Sequence, residues 1–129
     1  EAEVILNKNI DNLDAMKKAA KELNEQTGAA VLLKGGHRLS ESQKAEKVTD
    51  VLFYEDKLEL MEFPLYPEKN THGTGCTLSA AIAAGMAKGL TLLDAVREAR
   101  KFIDGAIKNA AGIGAGTGPL NHLWNQKFQ

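Results

Sequence analysis

The sequence predicts an α/β fold, on three observations. An amphipathic helix pattern runs into a short apolar segment bounded by glycines, the helix-to-buried-strand step of a β-α-β unit. A strand-hairpin pattern follows. Two further helix patterns come next, the first built almost wholly from small residues.

Ile10, Leu13, Met16, Ala20 and Leu23 recur at spacings of three and four with lysines and glutamates between them, so the spacing predicts a helix over 10–25. Asn9 or Asp11 caps its start and Gly28 stops it. Ala29 to Leu33 then reads as a buried parallel strand. Residues 38–47 are polar and charged and read as a surface loop. Val48–Tyr54 and Leu58–Phe63 form the hairpin, with Leu58 and Leu60 alternating against Glu59 and Met61 to leave one wet face.

Thr77 to Lys88 is a helix of strong formers with little bulk, closed by Gly89. Thr91-Leu92-Leu93-Asp94 resembles a capping box, and Leu93, Val96, Ala99, Ile103 and Ile107 carry a last helix to about Ala110. The glycines from Gly112 to Gly118 with Pro119 cannot stay helical, and Leu120 to Phe128 reads as a short terminal helix. No repeat or linker interrupts the 129 residues, so one unit is expected.

Composition narrows the function. Apolar residues make up 43 %, enough for a globular core. Net charge is -1, which gives no footprint for nucleic acid or a membrane surface. No apolar run approaches the ~20 residues that span a bilayer. The single cysteine, Cys76, excludes an internal disulfide, and the acidic opening Glu1-Ala2-Glu3 lacks the regions of a secretion signal, so a cytoplasmic protein is expected. The chain opens inside what reads as structured sequence, so a piece of a longer protein is expected as well.

The chemistry concentrates in Thr71-His72-Gly73-Thr74-Gly75-Cys76-Thr77. Two glycines let the backbone turn with positive φ and bring its N–H groups to a ligand. The helix beginning there adds unpaired donors and a positive dipole end, which together suit phosphate oxygens or charge on a transferring phosphoryl group. A helix N-terminus favours the thiolate, so Cys76 is a candidate proton acceptor for a substrate hydroxyl. On spacing alone the same residues serve equally as a turn capping a core helix. Lys34-Gly35-Gly36-His37, at the end of the predicted buried strand, is a second candidate, because open α/β sheets bind ligands beyond their strand ends. A solvated lysine in a tight turn reads the same way. His37 and His72 make a poor metal set with one cysteine, and structural roles suit them better.

Three segments in this order, Val31 to His37, Asn70 to Ala81 and Gly116-Thr117-Gly118-Pro119-Leu120-Asn121-His122, resemble the ribokinase-like superfamily of small-molecule kinases. Within it they are most similar to the hydroxymethylpyrimidine/phosphomethylpyrimidine kinases of thiamine biosynthesis. Most of the superfamily has Asp where Cys76 stands. The resemblance implies a three-layer α/β/α fold and phosphoryl transfer from MgATP to a pyrimidine alcohol and then to its monophosphate. Carried over, Cys76 is the base, and the N–H groups of Gly73, Thr74, Gly75 and Cys76 form the anion hole. Lys34 and Thr71 meet the ATP phosphates, and Glu1 is the motif glutamate associated with Mg²⁺.

Family members are about twice as long as this chain. The resemblance therefore covers only a C-terminal, nucleotide-binding half. The residues that hold the pyrimidine, and the Asn partner of Glu1, belong to the other half. Pyridoxal or pyridoxine kinase activity, found in relatives of the subgroup, is the alternative. A third reading is a non-catalytic piece that self-associates through an open sheet edge, inactive by itself, in line with an expected homo-oligomer. With the family as guide, Ala2 to Leu6 is a helical turn.

Overall fold

A computed structural model describes residues 1–35, 47–66, 71–113 and 115–126. The chain divides into two compact units, Glu1–Leu65 and Tyr66–Gln129, described in turn. Among the described residues no helix is long and apolar enough to cross a membrane.

The first unit opens with α1 (Ala2–Leu6), the helical turn expected there, and α2 (Leu13–Thr27). Asn12, rather than Asn9 or Asp11, caps α2: its side chain accepts the Ala15 N–H at 2.8 Å. Ile10 therefore lies before the helix, still packed on its apolar face. Gly28 ends α2 at φ 67°, as expected.

Three strands follow, β1 (Val31–Leu33), β2 (Lys47–Tyr54) and β3 (Lys57–Pro64), forming a sheet in the order β1-β2-β3. Both pairings are antiparallel. The parallel strand expected at Ala29–Leu33 is corrected accordingly: Ala29 and Ala30 are exposed, and β1 is a half-buried end strand. An apolar run reports burial, not direction. Most of the expected loop at 38–47 lies outside the described residues, and Lys47 belongs to β2.

Met16 and Ala20 of α2 pack on Val51 and Phe53 of β2, with Val31 and Leu33 of β1 alongside. The opposite face of β2 is buried too, at Asp50 and Leu52, each 1 % exposed. The hairpin turns through Glu55 and Asp56, both at positive φ (48° and 57°), as a two-residue turn of type I′ requires. Its wet face is not the expected one. Leu58 and Leu60 pair with Phe53 and Val51, so they share the face that α2 covers on β2, yet they are 38 % and 44 % exposed. Met61 on the other face is the buried residue of β3.

The second unit is built on α3 (Thr74–Ala87) and α4 (Leu92–Lys108). α3 begins three residues earlier than the alanine run suggests, and only its Leu78 is buried. It ends in a Schellman motif: Gly89 at φ 90° donates to Met86 O at 2.9 Å and Leu90 N–H to Gly85 O at 3.2 Å. Thr91 then caps α4, accepting the Asp94 N–H at 3.2 Å while its hydroxyl donates to the Asp94 carboxylate at 2.7 Å. The expected box thus forms with its second leg on the hydroxyl. Val96, Ala99, Ile103 and Ala106 form the buried stripe of α4.

The described part of the glycine-rich tail is irregular, as expected. Residues 122–125 form turns, not the expected helix; Lys127 and Phe128 lie outside the described residues. Asn121 explains the difference, since its side chain accepts the Leu123 N–H at 3.0 Å and offers the backbone an alternative to helix. Trp124 lies against Phe102 of α4, ring centroids 6.3 Å apart.

Candidate active site

Thr71, Gly73, Thr74, Gly75 and Cys76 come together in one turn at the start of α3. Gly73 is the N-cap at φ 86°, a left-handed conformation that carries no steric penalty without a Cβ. Gly75, expected to share that conformation, lies instead within the helix. A Cβ added at Gly75 would meet nothing within 4 Å, so its contribution is open space over the turn.

No side chain caps this helix. The Thr74 N–H is turned back onto Thr71 O at 3.3 Å, whereas the N–H groups of Gly73, Gly75 and Cys76 have no acceptor among the described residues. Those donors converge where the positive end of the helix dipole lies, which is the physical basis of an anion site.

Cys76 is a free, exposed thiol in the first turn. It stands at the mouth of a cleft of about 760 Å³. Ala80, Ala81 and Ala84 of α3 and Ala99 and Phe102 of α4 make the apolar walls, and Thr77 and His122 supply polar atoms beside Cys76. Small side chains on α3 create this space, because none reaches across to fill it.

The remaining candidates lie in the first unit. Lys34 is exposed at the end of β1, and Glu1 is the exposed N-cap of α1. Gly36 and His37 lie outside the described residues. Among the described residues no group of three or more His, Cys, Asp or Glu could hold a metal ion. His72 is exposed, and its backbone N–H binds Gly118 O at 3.3 Å.

Two contacts, one in each unit, escape sequence reasoning. Asp50, 1 % exposed, accepts the Gly35 N–H at 2.9 Å and so holds the backbone next to Lys34. A lone carboxylate in the apolar run Val48–Phe53 was the available signal. His122 Nε2 lies 2.9 Å from Thr77 Oγ1, one residue from Cys76. Only its place in the Gly116–His122 motif marked it.

Residues 1–121 match the family model described as phosphomethylpyrimidine kinase. The chain is 39 % identical over 123 residues to the hydroxymethylpyrimidine/phosphomethylpyrimidine kinase of Bacillus subtilis, covering 95 % of this chain and 44 % of that protein. It is 40 % identical over 123 residues to the thiamine biosynthesis bifunctional protein ThiED of Geobacter sulfurreducens, covering 95 % of this chain and 24 % of that one. An ADP complex of Bacillus subtilis pyridoxal kinase superposes with a TM-score of 0.83 at 34 % identity, over 95 % of this chain and 46 % of that structure. The chain thus spans less than half the length of these relatives, and its α/β architecture is part of their ribokinase-like fold.

Proposed function

Because this chain belongs to the phosphomethylpyrimidine kinase family, we propose that it is the nucleotide-binding part of a kinase that phosphorylates hydroxymethylpyrimidine and its monophosphate in thiamine biosynthesis. The observation that carries the reading is the set of unpaired N–H donors at Gly73, Gly75 and Cys76 beside a free thiol and an apolar cleft. The cleft suits a nucleotide base. The loop suits the phosphates, and Thr71 and Lys34 keep the phosphate-binding roles that the resemblance gives them.

In this reading the substrate hydroxyl oxygen attacks the terminal phosphorus of ATP, and ADP leaves with the electrons of the broken P–O bond. The hydroxyl proton passes to Cys76 Sγ. The loop amides hold the charge on the transferring phosphoryl group, where positioning and electrostatics supply most of the catalysis. Mg²⁺ would neutralise phosphate charge, and it commonly takes only one or two carboxylates from a protein, a part Glu1 would fill. A cytoplasmic, self-associating enzyme completes the reading, with the exposed Leu58 and Leu60 in its support. By itself the 129-residue chain is read as inactive.

The test is Cys76→Ala in the full-length protein. Loss of a general base costs about 10²–10⁴ in turnover, while ATP affinity is expected to hold within about threefold, since only the transition state uses the base. Near-normal turnover refutes the assignment. The similarity to a pyridoxal kinase structure favours a second reading, pyridoxal as the alcohol. Rates on the pyrimidine and pyridoxal alcohols decide between them.

A further inference from the structure

The glycine-rich tail is not used by the mechanism above, yet it touches the loop on both flanks. Before the loop, His72 N–H donates to Gly118 O at 3.3 Å, and His72 and Pro119 form a parallel bridge. After it, Thr77 Oγ1 and His122 Nε2 share a hydrogen bond of 2.9 Å, its direction set by the imidazole tautomer. The loop's own backbone contacts are local, Thr74 N–H to Thr71 O at 3.3 Å and Thr77 N–H to Gly73 O at 2.9 Å.

The tail itself is anchored elsewhere. Asn121 N–H donates to Ala106 O at 3.1 Å and Asn121 Nδ2 to Asn109 O at 3.0 Å, both at the C-terminal end of α4. Gly118 and Leu120 are buried. A load on the loop therefore passes through five tail residues into α4. The hydrogen bond between Thr77 and His122 joins the tail to the first turn of α3 through two side chains, and both line the cleft with Cys76.

We propose that residues 118–122 brace the Gly73–Cys76 loop from both ends, and that His122 is a positioning residue which, through Thr77, holds the anion-binding amides in their reactive geometry. The kinetic part of this inference rests on the kinase reading above; the brace does not. Preorganised donors stabilise a transition state only while their positions are fixed, and a misplacement of about 1 Å can cost about 10²-fold.

Thr77→Val in the full-length protein keeps the shape of the side chain and removes only the hydroxyl, so it carries the test even if a His122 variant fails to fold. Turnover is expected to fall about tenfold with KM for ATP changed less than about threefold, the mark of an interaction used in the transition state. Hydrogen exchange at the Thr77 and Leu78 amides is expected to accelerate about tenfold as the first turn opens locally. His122→Ala should reproduce these losses, the double variant should be no worse than either single one, and His122→Gln, which returns a polar nitrogen to the same reach, should recover most of the turnover. Additive losses, or a lower melting midpoint with turnover and exchange unchanged, overturn the proposal. If the full-length wild type phosphorylates no alcohol while Thr77→Val still accelerates exchange, the kinase reading fails and the brace stands.

Discussion

Replacing Gly35 by alanine tests how the turn after β1 is held. A Cβ built at Gly35 would lie 2.3 Å from Thr49 O and 2.8 Å from Val48 Cγ2. The first is backbone oxygen of β2 and cannot swing aside, so the backbone at Gly35 must retreat by about 1 Å to reach ordinary contact at 3.4 Å. The Gly35 N–H to Asp50 Oδ1 bond, now 2.9 Å, would stretch to about 3.9 Å, outside hydrogen-bonding range. Weakening a buried hydrogen bond to a charged group costs about 1.5–3 kcal/mol. Crowding a packed site adds about 1–3 kcal/mol. A loss of about 3–5 kcal/mol is a large share of the 5–15 kcal/mol typical of a folded protein. At a urea dependence of about 1.5 kcal/mol per molar, the unfolding midpoint should drop by about 2 M or more, read by far-ultraviolet circular dichroism. A drop below about 0.5 M would refute the reasoning, because it would mean that the backbone at Gly35 moves freely and its bond to Asp50 contributes little. Lys34 precedes Gly35 directly, so on the kinase reading nucleotide affinity in the full-length protein should weaken as well.

Two other predictions concern stability. Glu55 and Asp56 both hold left-handed backbone angles, which cost Glu55 about 1–2 kcal/mol and Asp56 less, since a short polar side chain tolerates them; exchanging the pair for Asn-Gly should raise the urea midpoint, and a lower midpoint would contradict the type I′ assignment. Tyr66 is half-buried, and that burial, reinforced by the Asp104 carboxylate, pushes its phenol above the ordinary range near 10. The neutral phenol is then favoured in the folded chain, so its contribution is whole below pH ~10 and is lost as pH rises through the folded value. Unfolding curves from pH 8 to 11 should lose stability more steeply for wild type than for Tyr66→Phe, and equal slopes would dismiss the shift.

The sequence showed most of what depends on local chemistry. The helix stop at Gly28, the hairpin around Glu55 and Asp56, the Schellman end at Gly89 and the cap at Thr91 all follow from residues close in the chain. What it concealed depends on partners distant in sequence. Leu58 and Leu60 have the right alternation, but their exposure is decided by how far α2 extends over the sheet. The direction of β1 is decided by β2, not by its own side chains. The turn from Gly73 to Cys76 was legible as a helix start, because two glycines precede a run of small helix formers, while on spacing alone a ligand site and a plain helix cap read the same. The contacts of Asp50 with Gly35 and of His122 with Thr77 were not legible, since they join residues fifteen and forty-five positions apart.

The joint between α3 and α4 has a consequence for variation in this family. Gly89 and Leu90 close one helix and Thr91 opens the next, with no slack residue between them. A Cβ at Gly85 would already stand 3.1 Å from that of Ala95, so the helices cross almost in backbone contact. The 14 residues of α3 make an arm of about 21 Å, and a tilt of about 10° at the joint would swing the far end by about 4 Å. The loop with Cys76 sits at that far end. On the kinase reading, substitutions at Gly85, Leu90 or Ala95 should therefore lower turnover as damage to the Cys76 loop does, although none of the three lies in that loop. The hinge of the arm, and not only its tip, sets the tolerance of the machine.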